Sequence, residues 1–257
     1  MPIALLTDFG TRDYFVAAMK GTMLKIDPGA RFVDITHEIP PQDIRSALFV
    51  LRSCYRDFPR GTVFLCVVDP GVGSERRAIV VEGGGYSFVT PDNGLLSFLQ
   101  ENDQTRAYEI TNSGLFAERV STTFHGRDVF APVAAYLSAG MPAPEVGPLI
   151  VDPVRLEIPG PQQVADDEWI GEIIHVDHFG NLVTNFLPEH ISDHQYFEIN
   201  ETAIRRHAHH YGEATSGEVI SITGSAGYIE ISSNKGSAAS LLKAGIGDRV
   251  VLRSGRD

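Results

Sequence analysis

TVFLCVVDPGVGSERR, Thr62 to Arg77, passes from an unbroken apolar run to an acid, then to a Pro-Gly-Val-Gly turn followed by two arginines. A half-exposed strand alternates apolar and polar residues. Val63 to Val68 does not alternate, so it predicts a strand buried on both faces. Asp69 then stands at the carboxyl end of that strand, where open α/β sheets form their ligand sites. Gly71 and Gly73 let the backbone pass close to a neighbour, and Arg76 and Arg77 bring positive charge beside the acid.

Working outward, Ile3 to Leu6 is a second buried strand, ending in Thr7-Asp8-Phe9-Gly10. Phe15, Met19, Met23 and Ile26 recur at helical spacing, in a helix that starts near Asp13 and stops at Asp27-Pro28-Gly29. Arg31 to Ile35 is a strand, and Ile44, Leu48, Leu51 and Tyr55 mark one face of another helix. Strands follow at Ala78 to Glu82, Tyr86 to Thr90 and Ala107 to Ile110, with helices at Leu95 to Gln100 and Val129 to Ala139. This alternation predicts an N-terminal α/β domain with a mostly parallel central sheet over residues 1–155. Pro153, Pro159 and Pro161 mark a change of character, and residues 156–167 read as a linker. Residues 168–257 carry short strand-like runs separated by Gly, Asn and Ser turns: Trp169 to Val176, Leu182 to Phe186, Glu218 to Ile222, Tyr228 to Ser232 and Arg249 to Leu252. They predict a smaller C-terminal all-β, barrel-like domain, with one short helix at Ala238 to Lys243.

The chain has 257 residues, of which 43% are hydrophobic, as in ordinary globular proteins. No apolar run is long enough for a membrane span. The start, MPIALLTDFG, lacks the basic region of a signal peptide. With 33 acidic and 21 basic residues the net charge is −12, which argues against nucleic acid and anionic membrane as partners. Cys54 and Cys66 form no disulfide framework, so the expected compartment is reducing cytoplasm.

Polar clusters stand at the predicted strand ends. Asp8 and Asp13 flank the first turn, where a carboxylate can accept both hydroxyls of a ribose, although Asp13 also suits a helix N-cap. Asp69 and Arg76 can fold onto each other and place a fixed cation beside a water. Arg77 is the less favoured partner and flanks the next strand. His125, between Phe124 and Gly126, is a candidate proton acceptor or water-orienting group, and Phe124 can stack on a flat ring. In the C-terminal domain, Asp177 or Glu230 can pair with an α-ammonium. Asn234 and Lys235 can hold a carboxylate, and Asn181 can read an adenine edge. As isolated residues these are equally turn formers. The run Arg205-Arg206-His207-Ala208-His209-His210 matches no zinc spacing and reads as a surface loop. GxGxxG, Walker and GxSxG motifs do not occur, which weakens dehydrogenase, nucleotidase and esterase assignments.

The segments TDFGTRD (7–13), VVDPGVGSERR (67–77), PDNGLL (91–96), TFHGRD (123–128) and DHFGNLVTN (177–185) resemble, in order and spacing, the S-adenosylmethionine hydroxide adenosyltransferases, relatives of the fluorinases and chlorinases. The resemblance implies hydrolysis of S-adenosylmethionine to adenosine and methionine by attack of activated water on C5′ of the adenosyl group. It implies no metal or cofactor, and a homotrimer with sites between the first domain of one subunit and the second of its neighbour. It implies a catalytic set of Asp69, Arg76 and His125, which halogenating relatives lack. By the same matching Asp13 falls on the ribose carboxylate, Phe124 on a nucleoside-pocket aromatic and Asp177 on a methionine-end carboxylate. Asn181 falls on the adenine contact, and Asn234 and Lys235 on the methionine-carboxylate region. Gln42 replaces a tryptophan that lines the fluorinase pocket. Halide attack at the same carbon and a non-catalytic nucleoside-binding module are the competing functions.

Overall fold

The structure, a computed structural model, describes residues 1–99, 104–192 and 194–254. The chain divides into two compact units, residues 1–157 and 158–257.

The first unit contains β1 (Pro2–Thr7), α1 (Phe15–Ile26), β2 (Arg31–Thr36), α2 (Ile44–Cys54), β3 (Val63–Val67), β4 (Ala78–Gly83), β5 (Tyr86–Pro91), β6 (Arg106–Glu109), α3 (Ala131–Ser138) and β7 (Leu149–Ile150). Its seven-stranded sheet has the order β2-β1-β3-β5-β4-β6-β7. β3 is buried on both faces, as its unbroken apolar run requires. Val63, Leu65 and Val67 pack with Met19, Met23 and Ala134 from α1 and α3, while Phe64, Cys66 and Val68 pack with Ala47 and Leu51 from α2. The period of two along one strand thus divides its side chains between two cores, giving helix, sheet and helix layers.

The sheet is parallel from β2 through β1 and β3 to β5, and antiparallel from β5 through β4 and β6 to β7. The change comes at Gly84-Gly85, both at positive φ, which turn β4 directly into β5 with no room for a crossover helix. In the parallel half, the carboxyl ends of β1, β3 and β5 lie along one edge, where Asp8, Asp69 and Asp92 follow the strands. Arg77 flanks β4 as expected, and donates to the buried Asp92 (2.8 Å) and to Asp152 (2.8 Å). Asp92 also accepts from Val154 N, so the departing chain is tied to the sheet edge. The helix expected at Leu95 to Gln100 is one 3-10 turn, Ser97–Leu99, and Gln100 lies outside the described residues.

The second unit contains β8 (Gln162–Ala165), β9 (Glu168–Val176), β10 (Leu182–Thr184), β11 (Gln195–Ile199), β12 (Thr202–Ile204), β13 (His207–Ala208), β14 (Val219–Thr223), β15 (Ile229–Ser233), α4 (Ala238–Leu242) and β16 (Arg249–Ser254) in a nine-stranded sheet. Ile173, Phe186, Phe197, Ile231 and Leu252 form its core. The expected linker 156–167 carries a strand. Gln163 pairs with Trp169 and Ala165 with Glu168, so β8 is an added hairpin arm whose exposed polar residues lack a strand's alternation. β11 to β13 were likewise not expected. They are short, and their hydrogen bonds to one another and to β14 and β16 define them better than their composition does.

Phe64 is fully buried and stacks on Phe88 at 4.9 Å in the strand pair leading to Asp69. Phe64→Ala is expected to destabilise the protein by about 3–5 kcal/mol, read as a lower denaturant midpoint.

Candidate active site

Asp69 leaves β3 into a tight turn. Val72 N donates to Asp69 O (3.3 Å) and Ser74 N to Gly71 O (3.0 Å). Gly73 has φ +78°, and a Cβ there would lie 2.5 Å from Thr122 O. This glycine lets the turn lie directly against the loop that carries His125. The turn folds Arg76 back onto Asp69: Nε donates to Oδ1 (3.0 Å), and Nη2 donates to Oδ2. The same Nη2 donates to His125 Nδ1 (2.9 Å). The guanidinium lies over the Phe130 ring at 5.2 Å. Asp69, Arg76 and His125 therefore come together as one hydrogen-bonded set. The Asp69 and Arg76 side chains are only 6% and 13% exposed, so the pair is weakly screened.

His125 immediately precedes a π turn, Gly126–Phe130, which runs into α3. The helix expected at Val129 to Ala139 thus begins with a wider turn, a form frequent at functional sites. Asp128 anchors it by accepting from Ser121 N (2.8 Å) and pairing with Arg127. Gly126 fits because a Cβ there would press at 3.3 Å on the rings of Phe9 and Phe124. Burial first, and then the Arg76 charge, lower the pKa of His125 from the ordinary 6.5. The neutral ring is thereby favoured. Because Nδ1 accepts from Arg76, the neutral ring carries its proton on Nε2.

The remaining candidates in this unit separate. Asp8 accepts from Gln42 N (2.8 Å). Burial raises its pKa, and the charge of Asp69 adds to the rise against the Gln42 hydrogen bond, so Asp8 and Asp69 are electrostatic neighbours. Gln42 reaches Asp8 through its backbone, at φ +67°. Asp13 is exposed and makes no hydrogen bond among the described residues. The N-cap of α1 is Tyr14, with no side-chain cap. Phe124 is buried, edge-on to Phe15 (5.2 Å) and Phe9 (6.0 Å), with the Arg127 guanidinium 4.9 Å from its ring.

The candidates of the second unit converge on one cavity of about 690 Å³, lined by Asp177, Asn181, Glu230, Asn234 and Lys235 together with Tyr211. Asp177 accepts from the backbone N of Phe179 (2.9 Å) and Asn181 (2.8 Å), and its Oδ2 accepts from Asn181 Nδ2 (2.8 Å). It therefore also does the work of a turn former. Glu230 accepts from Tyr211 Oη (3.2 Å), and its pKa is raised, first by burial and then by the Asp177 charge. Asn234 donates to Ala214 O (2.6 Å). Tyr211 was missed because one aromatic in a histidine-rich loop has no local signal. Ser233 was also missed; its Oγ is buried, has no partner among the described residues, and borders the same cavity. No group of three or more His, Cys, Asp or Glu among the described residues is arranged to hold a metal ion, the run Arg205 to His210 included.

Residues 3–147 match the SAM hydroxide adenosyltransferase N-terminal domain, and residues 171–251 match the C-terminal domain. The chain belongs to the SAM hydroxide adenosyltransferase family. Within this family it is similar to an (R)-S-adenosyl-L-methionine hydrolase from Salinispora tropica, with 39% identity covering 98% of each chain. A fluorinase from Actinoplanes sp. is 33% identical over 71% of this chain and 70% of its own. The crystal structure of an uncharacterized conserved protein from Thermotoga maritima superposes with a TM-score of 0.90 at 37% identity, covering 98% of this chain and 99% of that one.

By NMR titration of the imidazoles, His125 is expected to titrate below 6.5. Arg76→Gln is expected to move it upward, because a neighbouring cation is removed while Asp69 remains. A His125 value that ignores Arg76 would show that the two do not interact in solution.

Proposed function

We propose that this family member hydrolyses S-adenosyl-L-methionine to adenosine and L-methionine. The observation that carries this is the Arg76 guanidinium held between the Asp69 carboxylate and His125 Nδ1. Among the described residues its Nη1 makes no hydrogen bond, so this nitrogen and the imidazole Nε2–H remain as donors for an anionic oxygen. Hydroxide is the difficult reactant here, since the sulfonium already activates C5′ and methionine leaves as a neutral thioether. The C5′–O bond forms as the C5′–S bond breaks, the electron pair goes to sulfur, and one proton from water passes to solvent. Arg76 stabilises hydroxide over water, His125 orients it as a donor, and Asp69 fixes the guanidinium. With Nδ1 occupied, the arrangement favours His125 as an orienting group over a proton acceptor.

Asp13, exposed and without a hydrogen bond among the described residues, keeps its carboxylate oxygens for the ribose diol, Asp8 is a second candidate, and Phe124 walls the nucleoside. In the second unit, Asn181 gives one amide N–H to Asp177. It keeps the other, with its carbonyl, for the paired acceptor and donor of an adenine edge. Asp177 and Glu230 take the α-ammonium, and Asn234 and Lys235 the carboxylate. The names of the relatives support a preference for the (R) sulfonium epimer. A homotrimer, a cytoplasmic location suited to free Cys54 and Cys66, and chemistry without metal or cofactor belong to the same proposal. Small-molecule substrate, and neither nucleic acid nor membrane, fits the net charge of −12. No helix among the described residues is long and apolar enough to cross a membrane.

Incubation with each epimer, followed by chromatography, is expected to give adenosine and methionine, faster from the (R) form and insensitive to chelator. A 5′-halogenated nucleoside formed with added chloride would favour halide attack instead. Arg76→Ala is expected to lower kcat by about 100- to 1,000-fold while adenosine still binds. Full turnover in that variant removes Arg76 from the mechanism. Protonated His125 can no longer accept from Arg76, so activity should fall on the acid side. Because its pKa is lowered, the fall should begin below 6.5.

A further inference from the structure

At the edge of the first sheet opposite Asp69, two adjoining cavities are lined by arginines. One, of about 530 Å³, is bordered by Arg60, Arg106, Glu82 and the Gly84-Gly85 tip. The other, of about 400 Å³, is bordered by Arg56, Tyr55 and Phe98, and the two share Arg60, Gly84 and Tyr86. Arg60 precedes β3 and Gly84-Gly85 precedes β5, so both stand at the amino ends of strands whose carboxyl ends face the catalytic set. The five residues of β3 alone put roughly 17 Å between the two edges.

Arg60 and Arg106 are exposed and make no hydrogen bond or ion pair among the described residues. Glu82 stands opposite Arg106 in the β4–β6 register, yet the two form no ion pair. Arg56 donates through Nε to Tyr55 Oη (2.9 Å), with its guanidinium 5.4 Å from that ring, so it is held in place with both Nη groups unused. Three guanidiniums thus border one carboxylate, in a chain whose 33 acids outnumber its 21 bases. Positive charge gathered in this way, without acidic partners, draws an anion. The backbone adds donors. Gly84 and Gly85 have φ +62° and +86°, and neither amide N–H has a partner among the described residues. Successive free amides in a turn are anion donors. A Cβ at Gly85 would lie 3.3 Å from Arg60 Nη1 and 3.6 Å from its Cδ, so the arginine lies across the tip only because the glycine has no side chain. The aromatic wall is apolar in effect. Tyr86 gives its hydroxyl to Phe58 O (3.0 Å) and Tyr55 Oη is occupied by Arg56, which leaves ring surface toward the cavity. Phe98, partly buried, leans on Tyr55 at 5.2 Å.

We propose that this edge binds a phosphate monoester carrying a flat ring, of the nucleoside monophosphate class, with the phosphate on Arg60, Arg106 and the Gly84-Gly85 amides and the ring against Phe98. A phosphate dianion matches the surplus of guanidinium over carboxylate, and a guanidinium fork matches its oxygens. The site is separate from the one around Asp69 and does not rest on the hydrolase assignment.

The test is calorimetric titration of the full chain with inorganic phosphate, ribose 5-phosphate and uridine monophosphate, whose base lacks the adenine edge assigned to Asn181. Saturable binding is expected for all three, tightest for uridine monophosphate. Arg60→Ala and Arg106→Ala should each raise these Kd values by about tenfold or more. Phe98→Leu should raise the Kd for uridine monophosphate by about threefold and leave that for inorganic phosphate unchanged. Arg249→Ala, which removes an exposed arginine of the second unit, makes the same change in net charge and should change nothing. Absence of saturable binding overturns the proposal, as does a Kd unaltered in both Arg60→Ala and Arg106→Ala. An equal loss in Arg249→Ala would show that net charge alone is read. Ribose 5-phosphate bound as tightly as uridine monophosphate removes the ring contact and with it the nucleotide class.

Discussion

The contact between Asp69 and Arg76 is the constraint on which the rest of the first unit depends. A guanidinium that is 13% exposed needs an anion, and Asp69 supplies one in a fork geometry that fixes the plane of the arginine. Once that plane is fixed, one nitrogen reaches His125 and selects the tautomer of the imidazole. One ion pair thus sets the charge, the orientation and the protonation of a site assembled from two distant loops.

The surrounding architecture brings those loops together. The parallel half of the sheet delivers Asp8 and Asp69 to one edge, because β1 and β3 run the same way and end together. Gly73 then removes the one side chain that would hold the two loops apart. The π turn after His125 and the Asp128 anchor keep the histidine from drifting along its loop. Burial raises the pKa of Asp8, the charge of Asp69 adds to the rise, and the Gln42 N–H opposes it. In the second unit, the acids Asp177 and Glu230 face one cavity under the same kind of tension, with Tyr211 supplying a hydrogen bond to Glu230.

Much of this was legible in the chain. The continuous run Val63 to Val68 announces a strand buried twice over, and the placement of Asp69, Arg76 and His125 beside glycines marks where loops must approach each other. Strands with strong apolar patterns were found within a residue or two of their ends, as for β5 and β9. Polar or very short strands were not, since β8 and β13 exist through pairing with β9 and β14 and carry little pattern of their own. The antiparallel half of the first sheet turns on Gly84-Gly85, a hairpin signal outweighed by the alternation of strands and helices around it.

By itself the sequence determined the classes of the two units, the two-faced burial of the central strand and the residue types of the site, because apolar periodicity and glycine placement are local properties of the chain. Only the tertiary structure decided that one Arg76 nitrogen bridges Asp69 and His125, that Tyr211 and Ser233 join the cavity of the second unit, and that His37 backs the first loop. Those outcomes depend on which strand ends share an edge and which way a side chain leaves its turn, and residues far apart in the chain settle them jointly.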